Sequence, residues 1–545
     1  MGTTTIDRPI IGSGWLDRDR IVAKPGFNRW LVPPAALAIH LCIGMSYGLS
    51  VFWLPLTRAV GMAAPIACSG ISLAFALVST TCDWRVDQLI VVFTLGIVFL
   101  GLSAALWGGW LERAGPRKAA VVAACCWCGG LVISSAGVML HQLWMLWLGT
   151  GVIGGIGLGL GYISPVSTLI KWFPDRRGMA TGMAIMGFGG GAMIGSPLAN
   201  MLMNHFSGPT DVGVWQTFLV MAAGYFVFMM GGALGYRVPP ADWQPPGWTP
   251  VAGTRAMITH GNVALADAHK TRSFWMIWAV LCLNVSAGIG VLALASPMLQ
   301  EIFGGALIGH PEIGFAGLDP GQKRAIAGIA AGFAGLLSLF NIAGRFFWAS
   351  LSDRIGRKLT YFTFFALGMC LYAAAPWAAH GGSLFLFAVF MCVILSMYGG
   401  GFATVPAYLA DIFGTQFVGA IHGRLLTAWA TAGVVGPLVV SYLRQAQLDA
   451  GVPAARVYDQ TLYILAGFLA LGFIANLLVQ PLAEKWFIRD ATAITPSRED
   501  ASRVGSFGIG RGGLDTGAAL AWACVIVPIA YGVFLTAGSA LVLFR

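Results

Sequence analysis

Apolar stretches of about 20 residues or more recur from about residue 30 to the C-terminus, and they limit the fold more than any other feature of the chain. A helix needs about 20 residues to cross roughly 30 Å of hydrocarbon, where it must satisfy its own backbone hydrogen bonds. Only 10% of the residues are charged, and the mean hydropathy is +0.77. Soluble domains contain about 25% charged residues, so a soluble fold is excluded. We predict an all-α membrane protein.

The hydropathy pattern predicts thirteen membrane-spanning helices. Their expected ranges are 30–55, 88–109, 119–140, 143–169, 178–204, 215–236, 273–299, 325–349, 359–379, 383–409, 425–443, 460–482 and 517–543. The segment 1–29 is charged and has no apolar run followed by a small-residue cleavage site, so no signal peptide is predicted.

The basic residues predict the orientation of the chain. Most of the 32 Lys and Arg residues fall in the N-terminal segment and in every second loop, which by the positive-inside rule places the N-terminus in the cytoplasm. We expect a multi-pass protein of the inner (plasma) membrane. The net charge is +10, and the basic residues are spread in twos and threes between the spans. We therefore predict that the chain interacts with the lipid bilayer and does not bind a nucleic acid.

Eight of the ten cysteines fall inside predicted helices, where cysteine behaves as a small apolar residue. The Cys125 to Cys128 spacing is therefore interpreted as a chance pair, and no metal site and no cofactor are predicted. Cys68 and Cys82 lie in a long outer loop and form a disulfide if that compartment is oxidising.

A repeated element divides the chain. Residues 108–118 read GGWLERAGPRK after the second predicted span, and residues 349–358 read ASLSDRIGRK after the eighth. A carboxylate at a helix end, a tight glycine turn and following cations can form charge-assisted hydrogen bonds to a neighbouring helix end. We interpret the set as a conformational latch, with positive-inside anchoring as the alternative; its members are Glu112, Arg113, Arg117, Lys118, Asp353, Arg354, Arg357 and Lys358.

This repeated element resembles the signature loop of the major facilitator superfamily, over about residues 28–485. The resemblance implies two pseudo-symmetric six-helix bundles. The expected division is a cytoplasmic segment 1–29, bundles 30–236 and 273–482 joined by a cytoplasmic linker 237–272, a polar cytoplasmic segment 483–516 and an additional helix 517–545. The additional helix is interpreted as an accessory or an assembly contact, and no oligomeric state is predicted.

Glycine is concentrated in the fourth, fifth and eleventh spans. Small residues let helix backbones approach closely. The Gly-Pro elements resemble the antiporter-type signature of the superfamily, and plain helix packing is an equally open interpretation.

Arg345 is the one cation predicted to lie deep in a span, eight residues before Asp353 and so about 12 Å along the helix. Burying an unpaired guanidinium is costly, and such residues usually line a substrate or ion path. Asn341 lies one turn earlier, and no Asp or Glu occurs in the middle of a predicted span. We therefore expect the substrate to be the missing counter-ion, with snorkelling to the surface as the alternative.

Three motifs resemble the oxalate:formate antiporter family: KWFPDRRG (171–178), GRFFWASLSDRIGRK (344–358) and DIFG (411–414). In that family an arginine of the eighth span binds substrate carboxylate, and its counterpart is Arg345. The resemblance places aromatic pocket residues at Tyr47, Tyr162, Tyr398 and Phe402. It implies a secondary transporter of small carboxylate anions, most simply an exchanger, and not an enzyme.

Trp429 departs from that family, in which the matching position of the eleventh span is a lysine that supplies a second cation. Burying the second carboxylate of oxalate without a cation is costly, so a monocarboxylate such as formate, lactate or pyruvate is favoured. Arg424, about 7 Å nearer the cytoplasm, is the alternative second cation.

His40 is a candidate proton carrier at mid-membrane, or else a hydrogen-bonded core residue. The chain also resembles the proton-linked monocarboxylate transporters in outline, but these carry Asp where Asn341 stands. Antiport is therefore favoured over proton symport, which remains the alternative. A non-transporting membrane sensor is the competing class, although no soluble signalling domain is evident; the other seven histidines are expected outside the spans or at their ends.

Overall fold

The computed structural model describes residues 14–61, 66, 73–240, 243–246, 257–259, 261–488 and 516–540. These residues form helices and connecting segments, and no β-strand occurs among them. The predicted segments 1–29, 237–272, 483–516 and 517–545 each lie partly outside the described residues.

Thirteen helices are long and apolar enough to cross a membrane, as predicted. Numbered α1 to α13 in chain order, they are Arg29–Leu49, Gln88–Ala114, Pro116–Met139, Leu143–Trp172, Arg177–Phe206, Val214–Gly235, Arg272–Leu292, Gly332–Ile355, Arg357–His380, Leu384–Phe413, Val418–Asp449, Ala454–Leu477 and Thr516–Phe534.

The first twelve helices form two bundles of six with matching internal packing. In the first bundle, α1 packs against α5 and α6, and α3 packs against α4 and α6. In the second, α7 packs against α11 and α12, and α9 packs against α10 and α12. The repeated motif therefore corresponds to a repeated arrangement of six helices, and α13 is additional to it.

The two bundles meet along α2 with α11 and along α5 with α8. We call the end of the molecule at which α2 and α8 finish, at Ala114 and Ile355, the linker end. Glycines make both contacts close: a Cβ on Gly182 of α5 would lie 2.8 Å from the Arg345 carbonyl oxygen of α8, and one on Gly108 of α2 would lie 2.8 Å from Ala420 Cα of α11. The two bundles are therefore closed against each other in the linker half.

Two helices change geometry on the side away from the linker end. The α-helical part of α1 covers Val32–Ile43 and continues as a 3₁₀ helix over Gly44–Phe52. Helix α7 extends to Phe303 with non-helical dihedral angles at Leu294. Because α1 and α7 occupy equivalent places in the two bundles, the irregularity is also repeated.

Helix α11 begins earlier than predicted and is interrupted. It consists of Val418–Leu425 and Thr427–Asp449, with a break at Leu426. The sequence-based range of 425–443 therefore missed its first two turns. As a result His422, expected at the end of a span or outside it, lies inside α11.

Helix α13 contacts both bundles. It packs against α1 and α5 of the first bundle and against α8 of the second. The indole N–H of Trp522 donates to the carbonyl of Trp30 at 3.1 Å. A Cβ on Gly532 would lie 3.1 Å from Met193 Cγ, so α13 approaches α5 closely. Its role was left open by the sequence, and its place is against the line where α5 meets α8.

Cys82 is disulfide-bonded and buried, opposite the linker end. Its predicted partner, Cys68, lies outside the described residues, so that pairing stays a prediction. His141 donates to the carbonyl of Cys82 at 2.8 Å and stacks on Trp84 at a ring distance of 4.2 Å. Burial lowers the pKa of His141, so the ring is neutral at pH 7. The loop that contains Cys82 is therefore attached to the start of α4 by an uncharged side chain.

Candidate functional site

Arg345 lies between the two bundles and is completely buried, at 0% exposure. Its Nε donates to Asn341 Oδ1 at 2.9 Å, and its Nη1 donates across the interface to the carbonyl of Ile185 in α5 at 3.1 Å. Nη2 is buried and has no hydrogen-bond partner within the described residues. No ion pair joins Arg345 to a carboxylate in that part of the chain.

Aromatic rings from both bundles surround this guanidinium. Its Cζ lies 5.5 Å from the ring of Phe402 and 6.0 Å from that of Phe188, distances that suit cation–π attraction. The ring of Trp429 lies 4.6 Å from Phe402, 5.2 Å from Tyr162 and 5.4 Å from Phe188. Phe402 and Trp429 come from the second bundle, whereas Phe188 and Tyr162 come from the first.

Two further tyrosines complete the group. Tyr47 of α1 packs edge-on against Phe188 at 5.0 Å, and Tyr398 of α10 packs against Phe402 at 5.3 Å. We call the set the central cage; its members are Arg345, Tyr47, Tyr162, Phe188, Tyr398, Phe402 and Trp429.

The central cage is rich in hydrogen-bond donors. The hydroxyl of Tyr162 and the indole N–H of Trp429 are buried without a partner within the described residues. The hydroxyls of Tyr47 and Tyr398 lie close to each other, and that of Tyr47 also lies close to Arg345, without forming a hydrogen bond of normal geometry. Leaving a buried donor unsatisfied costs about 1–3 kcal/mol. Together with the free N–H groups of Arg345, these donors converge from both bundles and match an oxygen-rich anion.

His40 lies beside the central cage, with its ring 5.3 Å from that of Tyr162. Its Nε2 lies 3.2 Å from the carbonyl oxygen of Tyr162, and its Nδ1 contacts the carbonyl oxygen of Ala184. A neutral imidazole can donate to only one of two carbonyls, whereas an imidazolium donates to both. The two contacts suit an imidazolium, whereas complete burial and the nearby charge of Arg345 oppose protonation.

The linker end is closed by carboxylates that cross between the bundles. Glu112, at the end of α2, accepts from Lys171 Nζ at 2.6 Å and from the backbone N–H of Gly419, at the start of α11, at 3.1 Å. Asp353, at the end of α8, accepts from the N–H groups of Gly178 and Met179, at the start of α5, both at 2.9 Å. Each carboxylate thus lies at a helix N-terminus of the opposite bundle, where the helix dipole favours an anion.

Arg357 strengthens the α8 side of this arrangement. Its Nη2 bonds Asp353 at 2.6 Å, and its Nε bonds Asp411, at the end of α10, at 3.1 Å. Asp411 in turn accepts from Arg177 of the first bundle at 2.9 Å. These four side chains link α5, α8, α9 and α10.

The remaining basic residues of the repeat do not cross between the bundles. Arg117 donates to two carbonyls at the end of α6 at 3.0 and 3.1 Å, and Lys358 donates to two at the end of α12 at 2.9 and 2.8 Å. Lys118 pairs at 3.5 Å with an aspartate of the N-terminal segment. Arg113 and Arg354 are exposed.

Residues 59–437, more than half of the chain, match the family model of the Major Facilitator Superfamily. The chain belongs to the Major Facilitator Superfamily. The resemblance predicted from the repeated motif is thereby confirmed. Superfamily membership makes this protein a multi-pass membrane transporter.

Among similar proteins of this superfamily is the Toxoplasma gondii apicoplast pyruvate carrier 1, which is 25% identical over 71% of this chain and 78% of that protein. The Oxalobacter formigenes oxalate:formate antiporter is 24% identical over 75% of this chain and 83% of its own length. Human monocarboxylate transporter 11 is 24% identical over 81% of this chain and 82% of its own length.

Solved structures of superfamily transporters share the fold. The proton:xylose symporter XylE superposes with a TM-score of 0.55 at 14% identity, over 83% of this chain and 95% of that one. The Escherichia coli fucose:proton symporter FucP gives 0.54 at 13% identity, over 83% and 100%.

The structure brings together every substrate-site residue named from the sequence: Arg345, Asn341, Tyr47, Tyr162, Tyr398, Phe402 and Trp429. Arg424 is not among them, because its Nη1 donates to the carbonyl of Leu265 at 2.6 Å and contacts His269 Nδ1 at 2.7 Å, at the linker end. No second cation therefore lies in the central cage within the described residues.

Sequence reasoning missed two residues of this region. Phe188 lies in the glycine-rich part of α5, where no polar or charged neighbour distinguishes it. His422 was missed because α11 was predicted to begin at residue 425. The apolar run that begins at Phe417, shortly after the Gly414 turn, was the available signal for an earlier start.

Proposed function

We propose that this transporter exchanges small carboxylate anions by alternating access, with Arg345 as the principal anion ligand. The observation that carries the proposal is a guanidinium at 0% exposure, between the two bundles, with a free N–H group and no carboxylate partner in the described part of the chain.

The chemistry of the central cage favours a carboxylate over a sugar or a cation. A planar guanidinium can bind two carboxylate oxygens at once, and a guanidinium repels a cation. The three tyrosine hydroxyls and the Trp429 N–H add donors, whereas the aromatic walls suit a small planar substrate. Relatives named for pyruvate, oxalate and formate, and monocarboxylates agree with this class.

Exchange follows from the unpaired charge. An empty transporter has to close around Arg345 alone, whereas a loaded one closes around an ion pair worth about 4 kcal/mol at 4 Å and an effective dielectric constant of 20. Loaded molecules therefore change conformation faster than empty ones.

A monocarboxylate fits better than a dicarboxylate. Trp429 fills the position from which a second cation would act, and Arg424 is engaged at the linker end. Formate, lactate and pyruvate are therefore the proposed substrates, with oxalate bound more weakly.

Counterflow into proteoliposomes tests the proposal, with labelled formate, lactate, pyruvate and oxalate outside and the unlabelled anion inside. We expect uptake into preloaded vesicles to be at least about tenfold faster than uptake into empty ones. A tenfold difference in rate corresponds to about 1.4 kcal/mol, which is less than the roughly 4 kcal/mol of the ion pair. Arg345→Lys should abolish uptake of every carboxylate, because an ammonium lacks the bidentate geometry.

Arg354→Lys is the matched control, because Arg354 lies on the same helix but is exposed. It should transport at the wild-type rate. Equal uptake into empty and preloaded vesicles would contradict exchange, and full activity in Arg345→Lys would contradict the assigned ligand.

Proton-coupled symport of a monocarboxylate is the second candidate, and the two carbonyls that face His40 favour it. Symport predicts alkalinisation of the outer medium during uptake into empty vesicles, and its loss in His40→Gln. Exchange predicts no such pH change.

The proposed setting is the plasma membrane with the linker end in the cytoplasm, because the basic loops lie on that side. The proposed functional units are the bundles 30–236 and 273–482.

A further inference from the structure

His422 is a buried imidazole without any hydrogen bond. It lies in the first part of α11 at 1% exposure, with its ring 5.9 Å from that of Tyr162. Neither Nδ1 nor Nε2 has a partner within the described residues. A neutral imidazole carries one donor and one acceptor, so both are left unsatisfied in this conformation.

The residue stands between the central cage and the linker end. Trp429 of the cage is seven residues later, and Gly419, which donates to Glu112, is three residues earlier. Along α11, at about 1.5 Å per residue, His422 is about 10 Å from Trp429 and about 5 Å from the carboxylate contact, while its ring borders the cage at Tyr162. A substrate that leaves the cage toward the linker end has to pass this level.

A polar cavity begins just beyond Gly419. It has a volume of about 480 Å³ and is lined by Ser167, Lys171 and Arg177, among others. A Cβ on Gly419 would lie 2.6 Å from Ser167 Cβ, so the start of α11 packs against a residue that lines this cavity. His422 therefore lies roughly one helical turn from a polar opening at the linker end.

The α2–α11 interface keeps His422 dry in this conformation. A Cβ on Gly423, the next residue, would overlap the carbonyl oxygen of Ala104 in α2, so the two backbones touch. Separation of α11 from α2 and α4 would admit water to the ring.

The charged groups near this part of α11 are already engaged. From α1, His40 contacts two carbonyls, and from α4, Lys171 pairs with Glu112 of α2. The ring of Tyr162, also from α4, lies 5.9 Å from that of His422. From α10, Asp411 accepts from Arg177 and Arg357. On α11 itself, Arg424 bonds Leu265 and His269. An imidazolium at His422 would therefore be buried without an acceptor.

We propose that His422 is a proton-binding site that is filled only while the linker end is open, and that it thereby makes carboxylate exchange sensitive to the pH on the linker side. This inference rests on the proposed exchange function and adds the proton as a second ligand of the same pathway.

The mechanism requires only a proton transfer to and from water. When the linker end opens, one ring nitrogen accepts a proton and the ring becomes an imidazolium. Before α11 can return against α2, that N–H must give its proton to water, which restores the nitrogen lone pair. Acid on the linker side therefore holds the transporter open and slows each cycle.

Counterflow at different pH values on the two sides tests the proposal. A histidine with an ordinary pKa near 6.5 is about nine-tenths neutral at pH 7.5 and about one-tenth neutral at pH 5.5. Wild-type exchange should therefore fall about tenfold when only the linker-side pH is lowered from about 7.5 to about 5.5. His422→Gln, which cannot titrate, should change less than about twofold over the same range.

His205→Gln is the control, because His205 is exposed and lies at the opposite end of α5. It should keep the wild-type pH profile. A His422→Gln profile that follows the wild-type one, or an equal response to acid on either side, would overturn the proposal. Absence of carboxylate counterflow in the wild type at pH 7.5 would instead contradict the proposed function.

Thiol labelling gives a readout that does not need transport. Ser167→Cys places a thiol in the lining of the cavity, and its maleimide labelling rate reports opening between α4 and α11. The ratio of the labelling rate at pH 5.5 to that at pH 7.5 should be higher with His422 present than in the His422→Gln or His422→Phe background. Comparing these ratios cancels the pH dependence of the thiol itself. Equal ratios would overturn the proposal even if a variant transports poorly.

Discussion

Under the proposed exchange function, Trp429 is the residue expected to decide which carboxylates the central cage holds. Its ring is fully buried and lies against Phe402 and Tyr162, so it occupies volume and supplies one N–H donor but no charge. A dicarboxylate has to bury its second charge against this ring, and such burial costs several kcal/mol. If the cage binds carboxylates as proposed, we expect selectivity to depend on this position more than on Arg345.

Trp429→Lys should shift the preference toward dicarboxylates. The ammonium would pair with the second carboxylate, and the ratio of oxalate to formate uptake should rise at least about tenfold, equivalent to about 1.4 kcal/mol. Counterflow with both labelled anions at equal concentration measures the ratio.

Trp429→Phe is the control for that substitution, because it keeps an aromatic wall without adding a charge. Its oxalate-to-formate ratio should stay at the wild-type value. An unchanged ratio in a Trp429→Lys protein that still transports formate would show that selectivity lies elsewhere.

The sequence predicts charged residues of the site better than apolar ones. Arg345 could be found because a cation inside an apolar run has few explanations. Phe188 could not, since its place is set by the approach of rings from both bundles and not by its neighbours in α5. The basic residues of the repeat were found, but the bundle to which each one bonds depends on the three-dimensional packing.

At the scale of the helices, the number of spans was predictable because it depends on length and hydropathy alone. The interruptions were not. The break at Leu426 and the change to a 3₁₀ helix after Ile43 have no proline at the position of the change. The 3₁₀ helix begins at Gly44, which has no Cβ and so lets α1 contact the Phe188 carbonyl of α5. The missed start of α11 is the one such error that affected the site, because it removed His422 from consideration.

Helix α13 should move with the first bundle. Trp522 bonds Trp30 of α1, and Gly532 packs closely on Met193 of α5, whereas its contact with α8 has to slide when the bundles rock. A disulfide between Gly532→Cys and Met193→Cys should therefore leave exchange within about twofold of the reduced protein, because it joins parts of one rigid body. Counterflow before and after oxidation measures the effect.

The matched control joins the two bundles. A Cβ on Gly182 would lie 3.2 Å from the Cβ of Ala349, close enough for a disulfide between Gly182→Cys and Ala349→Cys. Oxidation of this pair should arrest exchange, and reduction should restore it. Arrest by the Gly532–Met193 pair as well would mean that α13 is tied to the second bundle.

The same type of contact, a carboxylate of one bundle at a helix N-terminus of the other, occurs twice in the molecule. Glu112 of the first bundle binds the N-terminus of α11 in the second, and Asp353 of the second binds the N-terminus of α5 in the first. Both contacts lie at the linker end, one at each of the two interfaces between the bundles. If each bundle moves as a rigid body, neither contact can open without the other.

Asp353→Asn should therefore open an interface that Asp353 does not touch. The substitution removes the charge from the contacts with Gly178, Met179 and Arg357, and hydrogen bonds to charged groups are worth about 1.5–3 kcal/mol each. The open population at the linker end should rise at least about tenfold, since one tenfold step is about 1.4 kcal/mol. Ser167→Cys, beside Gly419 on the α2–α11 side, should then be labelled by maleimide correspondingly faster.

Glu112→Gln should raise labelling of the same cysteine directly, and Arg354→Gln, which changes an exposed neighbour of Asp353, should leave it unchanged. Faster labelling in both carboxylate variants is the outcome expected of two bundles that rock as units. Faster labelling in Glu112→Gln alone would mean that α11 moves independently of α8, and the two carboxylates would then be separate gates, because opening one would leave the other in place.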